Sequence, residues 1–99
     1  MRGSRTGRPI MVLLDVLGQR WTLRILWELR DQTLNFRALQ TRCDQVSPSV
    51  LNNRLAQLRE MQLVELTAEG YQTTDLGRQL GRRLLGLDAW AEVWARRTG

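Results

Sequence analysis

The spacing of apolar and polar positions changes several times along the chain, and each change marks an element. Ile10 to Leu17 (IMVLLDVL) is an apolar run broken only by Asp15. Pro9 suits the first turn of a helix over this run, and Gly18 stops it. From Arg20 to Arg30, apolar residues at Trp21, Leu23, Ile25, Leu26, Trp27 and Leu29 cover more than one helical face, so this helix belongs at the centre of the domain. Asp31 to Leu34 makes a connection. Asn35 then caps a short helix over Phe36 to Arg42, with Leu34 placed to staple against Leu39. The same grammar repeats at once. Ser47 caps, Pro48 takes the first helical position and Val46 staples against Leu51, so a helix runs from Ser47 to Glu60. Two short helices separated by Cys43 to Val46 form a helix-turn-helix.

Beyond Met61-Gln62 the period falls to two. LVELT (63–67) alternates apolar with polar residues, Ala68-Glu69-Gly70 supplies a turn, and Tyr71 to Thr74 returns. So small a hairpin must lean on the helices. Thr74 or Asp75 then caps a last helix running to Arg97, with Leu76, Leu80, Leu84, Leu87, Ala91 and Trp94 recurring every three or four residues. Gly77, Gly81 and Gly86 each weaken it by roughly 1 kcal/mol relative to Ala, which leaves room for a break or bend near Gly86. The fold class is mainly α with a small two-stranded β-wing, a winged helix-turn-helix. Residues 1–9 are expected as a flexible basic arm and residues 10–99 as a single domain.

Composition adds a partner. The chain has 99 residues and a formal net charge of +5, which favours a polyanion such as double-stranded DNA. All 15 basic residues are Arg. Guanidinium groups grip phosphate and read guanine edges, although a compositional bias of the source genome gives the same count. An anionic membrane would also satisfy the charge, but the one apolar run is too short to span a bilayer. No small-residue cleavage site follows it, so a cytoplasmic protein is expected. His is absent and Cys43 is the only thiol, which excludes His-based acid–base chemistry, Ser-His-Asp triads and His/Cys zinc sites. Neither catalysis, nor a cofactor, nor a metal is expected.

The helix over Ser47 to Glu60 carries the candidate chemistry. Leu51, Leu55 and Leu58 form one stripe that must pack on the domain. The opposite arc presents Ser49, Asn52, Asn53, Ala56 and Gln57, with Arg54 and Arg59 at its edges. Asn or Gln can bond adenine N6 and N7 together, and Ser or the helix end can bond phosphate. Arg54 has three readings: a guanine contact, a phosphate contact, or a brace inside the domain. On the preceding helix, Arg37, Gln40 and Arg42 are placed to touch flanking phosphates, and Arg2, Arg5 and Arg8 could reach a neighbouring minor groove. Arg20 and Arg24 could instead pair with Asp15 or Glu28. A polar face that only meets solvent would look the same.

The ordered series GQRWTLRILWEL (18–29), NFRALQ (35–40), VSPSVLNNRLAQL (46–58), LVEL (63–66) and TTDLGRQL (73–80), closed by a Trp-containing helix, resembles the HxlR-type winged-helix regulators, relatives of the MarR group. The resemblance spans about residues 10–95. It implies a three-helix core with a two-stranded wing, a transcription-regulatory role without catalysis, and dimerisation through the first and last helices. Trp21 matches the family's core Trp. Ser47, Ser49, Asn52, Asn53 and Arg54 match its groove-facing positions, and Thr74 and Gly77 the start of its final helix. The dimer surface expected here comprises Leu13, Leu84, Leu87, Trp90, Ala91 and Trp94.

Two departures change the expectation. The family's wing usually carries basic residues, whereas this one has Glu65, Glu69 and no Arg, so it should repel phosphate. Some members sense oxidants through a cysteine near the N-terminus, which this chain lacks. Cys43 sits beside Asp44, whose charge disfavours the thiolate, and reads as structural. Trp90 and Trp94, four apart on one helical face, are expected between subunits. A second reading is a pocket at the dimer seam, built from them and Trp27, for a planar effector of unknown identity. The expected function is a homodimeric regulator, a repressor, on a pseudo-palindromic operator. The alternative is a winged-helix protein-interaction module that has lost DNA binding.

Overall fold

Gly18, whose N–H bonds Leu14 O at 2.8 Å, closes the first helix where the apolar run ends. In this computed structural model, which describes residues 8–99, the order is α1 (Pro9–Leu17), α2 (Thr22–Glu28), α3 (Phe36–Arg42), α4 (Pro48–Glu60), β1 (Val64–Thr67), β2 (Gly70–Thr73) and α5 (Asp75–Thr98). Apart from Arg8 and Pro9, the arm expected over residues 1–9 lies outside the described residues, and Pro9 is already the first residue of α1.

The middle of the core is α2, as its all-round apolarity predicts. Ile25 of α2 and Leu29 just after it are fully buried in one cluster with Leu39 and Cys43, and with Leu51, Leu55 and Leu58 of α4; Thr22 is fully buried as well. Burying each Leu removes it from water for about 1.5–3 kcal/mol, so the α4 stripe alone anchors that helix firmly. The helix is shorter than the predicted Arg20 to Arg30. Trp21 takes a left-handed backbone (φ 79°), and Thr22 N bonds Gln19 O at 3.2 Å, so residues 18–21 form a turn rather than a first helical turn. A left-handed non-glycine residue costs about 1–3 kcal/mol and persists because its surroundings hold it. Trp21 is half-buried against the core.

The wing is an antiparallel pair in register Val64↔Thr73 through Thr67↔Gly70, with Ala68-Glu69 as its two-residue loop. It starts one residue later than LVELT suggests, because Leu63 N bonds Leu58 O and ends α4. The segment predicted as a plain connection contributes a bridge: Leu34 N to Tyr71 O is 3.0 Å and Tyr71 N to Leu34 O is 2.8 Å. Gly70 permits it, since its φ is +137° and a Cβ there would lie 2.6 Å from Leu34 O.

Thr74 caps α5, accepting from Gly77 N at 3.0 Å and donating to Gln62 O at 2.7 Å. Gly77 is buried, and a Cβ on it would overlap the Leu63 carbonyl oxygen. This glycine lets α5 dock on the entry to the wing. No break occurs at Gly86: α5 runs unbroken for 24 residues, about 36 Å. Its second half leaves the core, with Leu87, Trp90 and Trp94 each more than half exposed. No helix among the described residues is long and apolar enough to cross a membrane.

Candidate nucleic-acid interface

Two left-handed residues in succession, Asp44 (φ 56°) and Gln45 (φ 58°), reverse the chain between α3 and α4. The turn is held from several sides. Gln45 N bonds Gln40 O at 2.9 Å, and the Gln40 side-chain amide donates to Val46 O at 2.9 Å. Arg24 on α2 donates to Glu28 at 3.0 Å, to Asp44 at 3.3 Å and to the Arg42 carbonyl oxygen at 2.6 Å. A guanidinium with several donors in a fixed fork suits such a clamp. Arg24 thus pairs with Glu28, as its i,i+4 spacing allows, and also fixes the turn that sets α4 against α3.

Ser47 starts α4 as expected, its Oγ accepting from Val50 N at 3.2 Å. Leu51, Leu55 and Leu58 point inward, which turns Ser49, Asn52, Asn53 and Ala56 to solvent. Ser49, Asn52 and Asn53 have no side-chain partner among the described residues, so their hydroxyl and amide groups stand ready for a ligand. Arg59, one turn further on, is exposed and unpaired as well.

Three predicted contact residues are placed differently. Arg54 is half-buried, and its Nε donates to the Arg20 carbonyl at 2.8 Å, which is the brace among its three readings. Gln57 is half-buried with Oε1 enclosed by protein, so its amide cannot present both ends to a base. Gln40 spends its amide on the turn. Of the remaining α3 residues, Arg37 is exposed and unpaired, and Arg42 is exposed with NH1 3.7 Å from Glu28 Oε1. The exposed side chains that remain unpaired are Ser49, Asn52, Asn53, Arg37 and, in addition, Arg59; Ser47 and Arg42 are exposed beside them, the first capping α4 and the second beside Glu28. Arg59 was visible in the sequence as an edge residue of the same arc.

The wing offers no cation. Glu65 accepts from the Gln72 amide at 2.8 Å, Thr33 donates to Gln72 at 2.9 Å, and Glu69 is exposed at the tip. Cys43 is fully buried under α2. Burial pushes its thiol above the usual range, Arg24 opposes this, and Glu28 and Asp44 add to it. The neighbouring carboxylate named from the sequence is therefore a lesser cause than burial. No group of three or more acidic or Cys side chains is placed to hold a metal among the described residues.

Away from this face, Ile10 and Leu14 of α1 and Leu87, Trp90 and Trp94 of α5 are exposed, while Leu13, Leu84 and Ala91 are half-buried. Trp27 lines an open groove with Leu23, Leu84, Leu87 and Ala91, and Trp90 and Trp94 lie outside that lining. The Trp27 ring is instead covered by Arg30, whose guanidinium carbon lies 3.9 Å from its centroid.

The family model of HxlR-like helix-turn-helix proteins matches residues 16–98. The fold is similar to that of quinone-bound YodB from B. subtilis, with 28% identity, a TM-score of 0.75, and coverage of 81% of this chain and 91% of that one. The reduced form of the transcriptional regulator YodB from B. subtilis gives 27% identity, a TM-score of 0.73, and coverage of 86% and 91%. A possible HxlR family transcriptional factor from Thermoplasma volcanium GSS1 is alike in fold, at 24% identity, a TM-score of 0.78, and coverage of 90% and 86%. Comparison with curated proteins finds no match.

Proposed function

This chain belongs to the HxlR-like helix-turn-helix family, and we propose that it is a repressor that binds double-stranded DNA sequence-specifically as a homodimer. The observation that carries the reading is α4 itself. Three fully buried leucines fix the helix, and the unpaired Ser49, Asn52 and Asn53 project from the opposite side. In the major groove, Asn52 and Asn53 would bond adenine edges, and the capped N-terminus of α4 with Ser47 and Ser49 would meet phosphate. Arg37, Arg42 and Arg59 would neutralise phosphates beside the groove. Arg54, Gln40 and Arg24 serve this interface indirectly, by holding α4 at a fixed angle. The wing, with Glu65 and Glu69, stays clear of DNA.

A second copy accounts for the apolar surface on α1 and α5. Large aromatic side chains left in water are costly, and a two-fold pairing through Leu13, Leu84, Leu87, Trp90, Ala91 and Trp94 would cover them. Such a pair presents two α4 helices about 34 Å apart, matching successive major grooves of a pseudo-palindromic operator. Repression follows as the simpler outcome, because occluding a promoter needs no activating surface. A quinone is bound in one similar structure; here Cys43 is buried with its thiolate disfavoured, so we assign it a structural role.

The test is a gel-shift titration on a duplex selected from a random pool. Affinity should fall by roughly 10³-fold between 50 and 200 mM salt if about six phosphates are neutralised. Absence of binding to any duplex at low salt would leave the winged-helix shell as a protein-interaction module.

A further inference from the structure

Where the end of α2, β2 and the first half of α5 meet, there is a cavity of about 370 Å³, within the size range of small-ligand sites. Leu26, Leu84 and Leu85 give it an apolar floor, and Arg30, Arg78 and Arg82 surround it against the single carboxylate of Asp31. We propose that this cavity binds a small amphipathic organic anion, a carboxylate carrying an apolar body.

Charge, order and space all favour this ligand. Three guanidinium groups facing one concavity raise the local positive potential; Asp31 is the one carboxylate in the lining, and Asp75, outside it, lies 3.9 Å from Arg78 NH2, which leaves a net positive charge. Two of the three are held in place. Arg30 NH1 donates to Trp27 O at 2.8 Å while stacking on the Trp27 ring, and Arg78 NH1 donates to Thr73 O at 2.9 Å. Each keeps further N–H donors for a carboxylate, at little ordering cost. Arg82 is exposed and has no partner among the described residues. An inorganic anion would leave the three leucines uncovered; an apolar body would cover them.

Gly81 supplies the space. A glycine inside a helix costs about 1 kcal/mol relative to Ala. At Gly77 the close approach of Leu63 requires that loss; at Gly81, as at Gly86 outside the cavity, a Cβ would have no neighbour within 4 Å. Gly81 lines the cavity, so any larger side chain there would take up ligand volume. Of the cavity's lining, only Leu84 belongs to the surface through which two copies are proposed to pair; the other lining residues lie outside that surface.

Isothermal titration of the full chain tests the site, with 2-naphthoate and octanoate as probes and 2-naphthamide, octanamide and inorganic phosphate as comparisons. The expected result is saturable binding of at least one carboxylate, at least tenfold tighter than its amide and than phosphate. Arg82→Gln should weaken that binding tenfold or more. Gly81→Leu should abolish it while leaving the melting temperature unchanged or higher. No saturable binding of either carboxylate would overturn the proposal. So would amide or phosphate binding as tight as the carboxylate, or undiminished binding in both variants.

Discussion

Arg54 Nε donates to the carbonyl oxygen of Arg20 at 2.8 Å, joining the middle of α4 to the turn that precedes α2. That turn contains the left-handed Trp21, so the bond helps to hold a backbone that would otherwise relax. Arg54→Ala should lower stability by about 1 kcal/mol, read from the urea midpoint, since a charged donor to a partly exposed carbonyl is lost. DNA affinity should drop to a similar extent on every duplex. A change in preference at one base pair with unchanged stability would instead put Arg54 in the groove.

Asn53 is exposed on the outer arc of α4 with its amide unpaired. Asn53→Ala should relax discrimination at one base pair by about 1–3 kcal/mol, measured as the affinity ratio of two duplexes differing there. Equal weakening on both duplexes would make it a phosphate contact.

Gly77 and Gly81 sit one turn apart on α5 and should respond in opposite senses. Gly77→Ala forces a methyl group onto the Leu63 carbonyl and should cost about 1–3 kcal/mol. Gly81→Ala meets open space and should gain about 0.5–1 kcal/mol from helix propensity. Thermal melts of the two variants read both signs.

Burial holds the Cys43 thiol above its ordinary value of about 8.5, with Arg24 opposing and Glu28 and Asp44 assisting. The folded thiol therefore keeps its proton at a pH where the unfolded one loses it. This contribution is whole below about pH 8.5 and shrinks as pH climbs through the higher folded value. Stability should decline in that window, and Cys43→Ala should flatten the decline. Alkylation by iodoacetamide should be slow in buffer and fast in urea; equal rates would contradict the burial.

Leu87 and Trp90 are exposed on the projecting half of α5. Sedimentation should find a dimer of the unmodified chain, and Leu87→Glu with Trp90→Ala should yield a folded monomer that binds its operator more than tenfold more weakly. A double variant that stays dimeric would move the interface elsewhere.

The caps at Asn35 and Ser47, and that of α5 to within Thr74 or Asp75, were legible in the sequence because each is a hydrogen bond between residues three apart. The leucine stripe of α4 and the two-residue period of the wing were legible for the same reason. The bridge from Leu34 to Tyr71 and the reach of Arg24 to Asp44 were not, since they join residues distant in the chain. Nor was the left-handed Trp21, which carries no local turn signal, or the unbroken run of α5 through Gly86.

The sequence by itself determined which segments are helices, where the capped ones, α3, α4 and α5, begin, and which side of α4 must face inward, because propensity, capping and periodicity act within a turn or two. Only the tertiary structure decided which polar residues of the outward arc remain available. Arg54 and Gln57 were drawn inward while Asn52 and Asn53 were left free, because that choice depends on what packs beside each residue, and those neighbours are distant in the chain.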